Sequence, residues 1–76
     1  MHFSDKNFYA LLGTRIKTLR TANGMSQADM AKACNMAVRQ YANAEHSGAG
    51  LTVDRLFSIG RSLGTTFDHV TAGLTD

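Results

Sequence analysis

The chain has 76 residues, of which 43% are hydrophobic and 18% are charged, with a formal net charge of +2 and a pI of about 9.0. This length supports one hydrophobic core, so we expect a single domain over residues 1–76, and the composition is that of a folded globule rather than a disordered tail. The mildly basic charge permits a nucleic-acid partner without requiring one.

Several classes of protein are disfavoured at this stage. The single cysteine, Cys34, provides no disulfide framework and lies within an apolar pattern, which indicates a core residue rather than a nucleophile. No apolar run approaches the roughly 20 residues of a membrane span, and the N-terminus lacks a signal-peptide pattern, so we expect a cytoplasmic protein. His2, His46 and His69 are far apart in sequence, and we predict no metal site, no cofactor and no catalytic group.

The first predicted helix runs from about Ser4 or Asp5 to Ala22 and ends at Asn23-Gly24, two residues that tolerate the left-handed conformation after a helix. Apolar residues recur along it at steps of three and four, which predicts one buried stripe. The members are Phe8, Leu12, Ile16 and Leu19, flanked by Tyr9 and Leu11.

Two short helices then follow in close succession. Ser26 is predicted to cap a second helix, Gln27 to Ala33, with Asp29 completing a short capping box, and a third helix runs from about Ala37 to His46. Asn35 lies at the corner, where a left-handed residue is needed. The apolar residues of both helices can share one core only if the helices cross steeply, with the small Ala31 at their approach. These residues are Met30, Cys34, Met36, Tyr41 and Ala44. The arrangement is typical of a helix-turn-helix, at about residues 27–46.

Two further helices complete the predicted fold. Thr52 is expected to cap a fourth helix closed by Gly64, and Thr66 a short fifth helix that ends near Gly73. Their inward residues are predicted to be Val53, Leu56, Phe57, Ile59 and Leu63, followed by Phe67 and Val70. The sequence therefore predicts an all-α fold, a compact five-helix bundle.

The outer face of the third helix carries the candidate binding residues. Steps of about 100° around an innermost Tyr41 place Arg39, Asn43 and His46 on the opposite face, with Gln40 at its edge. Arg can bind guanine, Asn or Gln can bind adenine, and a valine can contact a thymine methyl group. We therefore predict base contacts by Val38, Arg39, Gln40 and Asn43, and a phosphate contact by His46. The alternative is a solvated polar face, which is the usual state of such residues.

A resemblance to a known family is carried by the stretches LGTRIKTLRTANGMSQADMAKACNM, YANAE and TVDRLFSIGRSLGTTFDHV. They are similar to the lambda-repressor-like, Cro-type helix-turn-helix domain, also called the XRE family, over roughly residues 12–71. The resemblance implies sequence-specific binding of double-stranded DNA, as a homodimer on a palindromic operator and without catalysis.

The resemblance also implies roles for individual residues. Gln27 matches a family glutamine that contacts phosphate, and helix N-termini attract anions. Arg20 and Glu45 match an ion pair that joins the first and third helices and offers Arg20 to a phosphate; the alternative is a weakly stabilising surface pair. The implied dimer contact lies around the fourth and fifth helices. Its members are Leu51, Asp54, Thr66 and Phe67.

Two features depart from the family pattern. Ala37 stands where a serine or threonine normally caps the recognition helix, so the sequence leaves open where that helix begins and which of Val38, Arg39 and Gln40 reach bases. The following loop, HSGAG, lacks the Lys and Arg that many relatives place against the DNA backbone. We expect a small repressor without a small-molecule effector; the alternatives are an antitoxin, a restriction–modification controller, or a protein-interaction module that has lost DNA binding.

Overall fold

The computed structural model describes residues 6–70, apart from the side chains of Lys6, Asn7 and Phe67. Within this range the chain forms five helices and no strand, which confirms the predicted all-α fold. The helices are α1 (Lys6–Ala22), α2 (Gln27–Ala33), α3 (Val38–Ser47), α4 (Val53–Ser62) and α5 (Phe67–Val70). The predicted start of α1 and the predicted end of α5 lie outside the described residues.

Side-chain caps fix where most of these helices begin. The Ser26 hydroxyl accepts a hydrogen bond from the Asp29 backbone N–H, and the Asp29 carboxylate accepts one from the Ser26 N–H, so the predicted capping box is present. Thr52 and Thr66 cap α4 and α5 in the same manner, through the backbone N–H groups of Arg55 and His69.

The junction between α2 and α3 is the sharp turn that the sequence predicted. Asn35 has φ of 57°, the left-handed conformation, and the Met36 backbone N–H donates to the Ala31 carbonyl at 2.8 Å. The apolar residues on both sides of the turn are buried in one core with residues of α1, α4 and α5. This core comprises Phe8, Leu12, Ile16, Met30, Ala31, Cys34, Met36, Tyr41, Ala44, Leu56, Ile59, Leu63 and Val70.

Four apolar residues that the sequence placed at or beside the core are exposed instead. Tyr9 and Leu11 are 36% and 44% exposed, and Val53 and Phe57 are 59% and 48% exposed. The prediction that Val53 and Phe57 face the core is wrong. The buried stripe of α4 consists instead of Leu56, Ile59 and Leu63, at steps of three and four. The flanking residues of α1 are likewise about 100° off its buried stripe.

The backbones of α1 and α3 pack closely against each other at Gly13 in α1. A Cβ atom at this position would lie 2.4 Å from the carbonyl oxygen of Glu45 and 2.7 Å from that of Ala44, both in α3. Only a glycine permits this separation, so α1 sets the position of α3 directly through its backbone.

Candidate nucleic-acid interface

The outer face of α3 presents the residues that the sequence predicted to contact bases. Val38 is 49% exposed, and Arg39, Gln40 and Asn43 are exposed as well. The exposed His46 follows one turn after Asn43 on the same side of the helix. The structure therefore brings these five residues together on one surface, which we call the α3 face.

The start of α3 differs by one residue from the sequence prediction. The helix begins at Val38, and Ala37 precedes it in an extended conformation, with φ of −66° and ψ of 149°, and makes no side-chain cap. The first turn of α3 therefore consists of Val38, Arg39 and Gln40. N-terminal residues of a recognition helix are the ones that reach base edges in helix-turn-helix proteins.

An ion pair lies behind the α3 face, between α1 and α3. The Arg20 Nε donates to the Glu45 Oε2 at 2.5 Å, and a terminal nitrogen of Arg20 donates to the Glu45 Oε1 at 3.2 Å. The other terminal nitrogen donates to the Met25 carbonyl at 2.7 Å. Arg20 is 7% exposed and Glu45 is 5% exposed, so the alternative of a surface pair is wrong.

Glu45 accepts two further hydrogen bonds. The Tyr41 hydroxyl donates to its Oε2, and the Gln27 side-chain amide donates to its Oε1 at 3.1 Å. We call these four residues, Arg20, Gln27, Tyr41 and Glu45, the Glu45 cluster. It joins the end of α1, the start of α2 and the middle of α3, and thereby fixes the orientation of the recognition helix.

The electrostatics of the cluster keep Glu45 ionised. Burial by itself would raise the pKa of the Glu45 carboxyl, but the hydrogen bonds from Arg20, Tyr41 and Gln27 bring it below its ordinary value. The hydrogen bond to Glu45 raises the pKa of the Arg20 guanidinium, and burial raises the pKa of the Tyr41 hydroxyl. The cluster thus holds a compensated pair of charges at every pH near neutrality.

The cluster changes the roles that the sequence gave to two residues. Arg20 is buried and its guanidinium is bound by Glu45 and Met25, so the structure does not support a phosphate contact by Arg20. Gln27 is half-buried and bonded to Glu45, which places its amide at the edge of the α3 face rather than in open solvent.

Two hydrogen bonds of this network are not predicted by the sequence analysis, those from Tyr41 and Gln27 to Glu45. The apolar pattern predicts that the Tyr41 ring lies in the core and gives no partner for its hydroxyl. Tyr41 and Glu45 are four residues apart on one helix, a spacing that puts their side chains on the same face and could have indicated the contact. The bond between Gln27 and Glu45 joins two helices, and no spacing rule would have found it.

The residues predicted to form a dimer contact lie around α4. Leu51 is half-buried, Asp54 and Thr66 are exposed, and the side chain of Phe67 lies outside the described residues. The exposed Val53 and Phe57 are one turn apart on α4 and add apolar area to this region. We call the surface formed by Val53, Asp54, Phe57 and the exposed Arg61 the α4 face.

Three structural observations bear on other functions. Among residues 6–70, no helix is long and apolar enough to cross a membrane, and no group of three or more His, Cys, Asp and Glu side chains is placed to hold a metal ion. Cys34 is buried, and its burial raises the pKa of the thiol, which disfavours the reactive thiolate.

Comparison with known proteins assigns the chain to a family. We found no match among curated proteins and none among solved structures. A family model described as helix-turn-helix matches residues 16–70, more than half of the chain, and spans all of α2 to α5 with the last two turns of α1. The chain therefore belongs to the lambda-repressor-like, Cro-type (XRE) helix-turn-helix family of DNA-binding regulators.

Proposed function

We propose that this protein is a small homodimeric repressor that reads a palindromic operator in double-stranded DNA. The observation that carries the proposal is the α3 face: a row of exposed side chains able to contact bases, on a helix held from behind by the buried Glu45 cluster. A rigid helix is what direct readout needs, because each base contact depends on positions accurate to a fraction of an ångström.

Each residue of the α3 face has a role in the proposal. Arg39 donates to the O6 and N7 of a guanine, and Asn43 and Gln40 bind adenine through N6 and N7. Val38, half exposed at the helix start, contacts a thymine methyl group. Gln27 and His46 bind the DNA backbone at the edge of this face.

Dimerisation is part of the proposal because one recognition helix reads only a few base pairs. Two copies related by a two-fold axis read two half-sites about one DNA turn apart. The α4 face supports such a contact, since Val53 and Phe57 expose apolar area beside Asp54 and Arg61. We include Leu51, Thr66 and Phe67 in the proposed dimer contact, as the family resemblance implies.

The biological setting follows from the DNA partner. A regulator of this kind acts where the DNA is, and we place it in the cytoplasm. A phage-type switch protein, a restriction–modification controller and an antitoxin that represses its own operon all use the same mode of binding. The proposal requires no cofactor and no small-molecule effector.

Site selection from a random duplex library, followed by footprinting, tests the palindrome. We expect a motif with two inverted half-sites whose centres are about 10 base pairs apart.

Analytical sedimentation of the wild type and of Phe57→Glu tests the dimer. We expect the wild type to sediment as a dimer. Phe57→Glu should weaken association at least tenfold, because it puts a charge into an apolar contact. A single half-site, or an unchanged association of Phe57→Glu, would contradict this part of the proposal.

One observation favours a second function, that of a protein-interaction module. The loop between α3 and α4, residues 48–52, carries no Lys or Arg, so it supplies no side-chain cation to a DNA backbone. Under this alternative the α3 face contacts a protein. The same selection distinguishes the two, because a protein-interaction module yields no enriched DNA motif.

A further inference from the structure

The loop between α3 and α4, residues 48–52, connects the reading helix to the helix that carries the α4 face. In the bundle, α3 packs mainly against α1 and α2, whereas α4 packs mainly against α2 and α5. The two helices are therefore linked in two ways, by packing through α2 and directly by this loop. The conformation of the loop enters the geometry of any assembly that uses both the α3 face and the α4 face.

The first end of the loop is fixed against α1. Gly48 has φ of 81°, and a Cβ atom at this position would lie 2.5 Å from the Cβ atom and from the carbonyl oxygen of Tyr9. Glycine permits this close approach of the loop to the helix. Three residues later, Leu51 is half-buried and packs at the border of the core.

The middle of the loop is less well packed. A cavity of about 580 Å³ lies between the loop and α1, lined by Tyr9, Ala10 and residues 46–52. Gly50 has φ of 78° and belongs to this lining. Because a glycine backbone has many accessible conformations, one conformation at Gly50 requires an interaction other than packing.

Arg55, in the first turn of α4, supplies this interaction. A terminal nitrogen of its guanidinium donates to the Gly50 carbonyl at 2.8 Å, and the Thr52 backbone N–H donates to the same carbonyl at 3.1 Å. Hydrogen bonds from a charged donor are stronger than those between neutral groups. Arg55 is half-buried, and within residues 6–70 no ion pair with a carboxylate competes for its guanidinium. The Gly50 carbonyl is thus attached to the start of α4.

We propose that Arg55 is a positioning residue that sets the half-site spacing of the operator, by holding the Gly50 carbonyl and thereby the angle between α3 and α4. This role rests on the proposed function, since it needs a dimer formed through the α4 face and two reading helices. A two-fold axis repeats any change of the angle in both copies, so the separation of the two α3 faces changes twice. Arg55 itself contacts neither bases nor phosphates in this assignment.

The test compares duplexes that differ only in spacing. The affinity of the full-length wild type, Arg55→Met and the control Lys32→Met is measured for the selected duplex and for duplexes with one base pair added or removed between the half-sites. One base pair changes the separation of the half-sites by about 3.4 Å and their relative rotation by about 35°. Methionine keeps an unbranched apolar stem and cannot donate a hydrogen bond. Lys32→Met also removes one exposed positive charge, from a position on neither the α3 face nor the α4 face.

The quantity compared is the ratio of the affinity for the selected spacing to the affinity for the changed spacing. We expect Arg55→Met to lower this ratio about fivefold, the factor that corresponds to one hydrogen bond, and Lys32→Met to leave it unchanged. A loss of stability does not imitate this result, because unfolded protein lowers the affinity for every duplex by the same factor. On a duplex with a single half-site, Arg55→Met and Lys32→Met should bind equally well.

A ratio that Arg55→Met retains, or that Lys32→Met lowers as much, would overturn the role of Arg55. Weaker binding of Arg55→Met than of Lys32→Met to the single half-site would overturn it too, since Arg55 would then act on the reading of one half-site. Failure of the proposed function has a different signature: the wild type then selects no pair of half-sites and has no spacing preference for Arg55 to set.

Discussion

At Ala37 the recognition helix begins without a side-chain cap. The residue has the extended backbone that an N-cap requires, but a methyl group cannot accept a hydrogen bond from the first turn. The N–H groups of Arg39 and Gln40 are therefore left for water or for a bound partner. The helix start that carries the proposed base-contacting residues thus has lower intrinsic stability than the capped starts of α2 and α4.

Restoring the cap should stabilise the protein. Ala37→Ser places a hydroxyl where it can accept from the N–H of Arg39 or Gln40, and we expect the free energy of unfolding to rise by about 1 kcal/mol. The free energy of unfolding is measured by urea denaturation, followed by circular dichroism. Ala33→Ser, an exposed position at the end of α2, is the control and should change stability by less than about 0.5 kcal/mol. Equal effects of the two substitutions would show that the N-terminus of α3 is not limited by its cap.

The Glu45 cluster predicts a defined response to acid. The pKa of Glu45 in the folded protein lies below its ordinary value of 4.5, so the unfolded chain binds the proton more readily. The stabilisation from ionised Glu45 is complete above that value and is lost as the pH falls through it towards the folded pKa. Glu45→Gln should lower the free energy of unfolding by about 3 kcal/mol at neutral pH, because it leaves the buried Arg20 without a countercharge.

The comparison of pH profiles isolates this residue. The free energy of unfolding of the wild type and of Glu45→Gln is measured by denaturation at neutral pH and near pH 4. The difference between the two proteins should be smaller at the acid pH. Asp54→Asn, which alters an exposed carboxylate of α4, is the control and should change stability by less than about 1 kcal/mol. A difference between wild type and Glu45→Gln that stays constant with pH would contradict the assigned role of the ionised carboxylate.

At the scale of the helices, α1 and α3 are in contact through Gly13. Alanine has a higher helix propensity than glycine, so Gly13→Ala would stabilise an isolated α1. In the bundle its Cβ would clash with backbone carbonyl oxygens of Ala44 and Glu45, and backbone atoms cannot rotate away as a side chain can. We expect the free energy of unfolding to fall by about 1–3 kcal/mol.

Thr18→Ala is the matched control for this prediction, since it places alanine on an exposed position of the same helix. Thermal denaturation should show a clear loss of stability for Gly13→Ala and little change in stability for Thr18→Ala. Stabilisation by Gly13→Ala would mean that α1 and α3 can separate without cost, and that α1 does not fix the recognition helix.

The helices also show which features of the fold could be predicted from the sequence. Periodicity and caps were sufficient for the bounds of α2, the turn at Asn35 and the buried stripes, because these features depend on residues close in the chain. The exposure of Val53 and Phe57 was not predicted, since it depends on which side of α4 the other helices cover. The bond from Gln27 to Glu45 was not predicted for the same reason: it exists only once α2 and α3 have packed.

At the scale of the whole molecule, a small five-helix bundle holds α3 at its surface, and the buried Glu45 cluster fixes α3 from behind. α1 contacts α3 by close backbone packing, and the Glu45 cluster adds charged hydrogen bonds at the point where α1, α2 and α3 meet. The α3 face and the α4 face therefore lie on the same packed bundle. Base readout, phosphate contact and dimer contact are expected to change independently when their own residues are substituted.

The central claim is that the α3 face reads base sequence, and Arg39 tests it most directly. The measurement is the affinity of wild type, Arg39→Ala and the control Lys32→Ala for the selected duplex and for duplexes with single base-pair changes. Both substitutions remove one exposed positive charge, and Lys32 lies on neither the α3 face nor the α4 face. We expect Arg39→Ala to lose about 1–3 kcal/mol of binding free energy and to lose discrimination at one base pair of each half-site, while Lys32→Ala keeps full discrimination. Equal behaviour of the two variants, with binding that salt abolishes and no base preference in the wild type, would contradict the account.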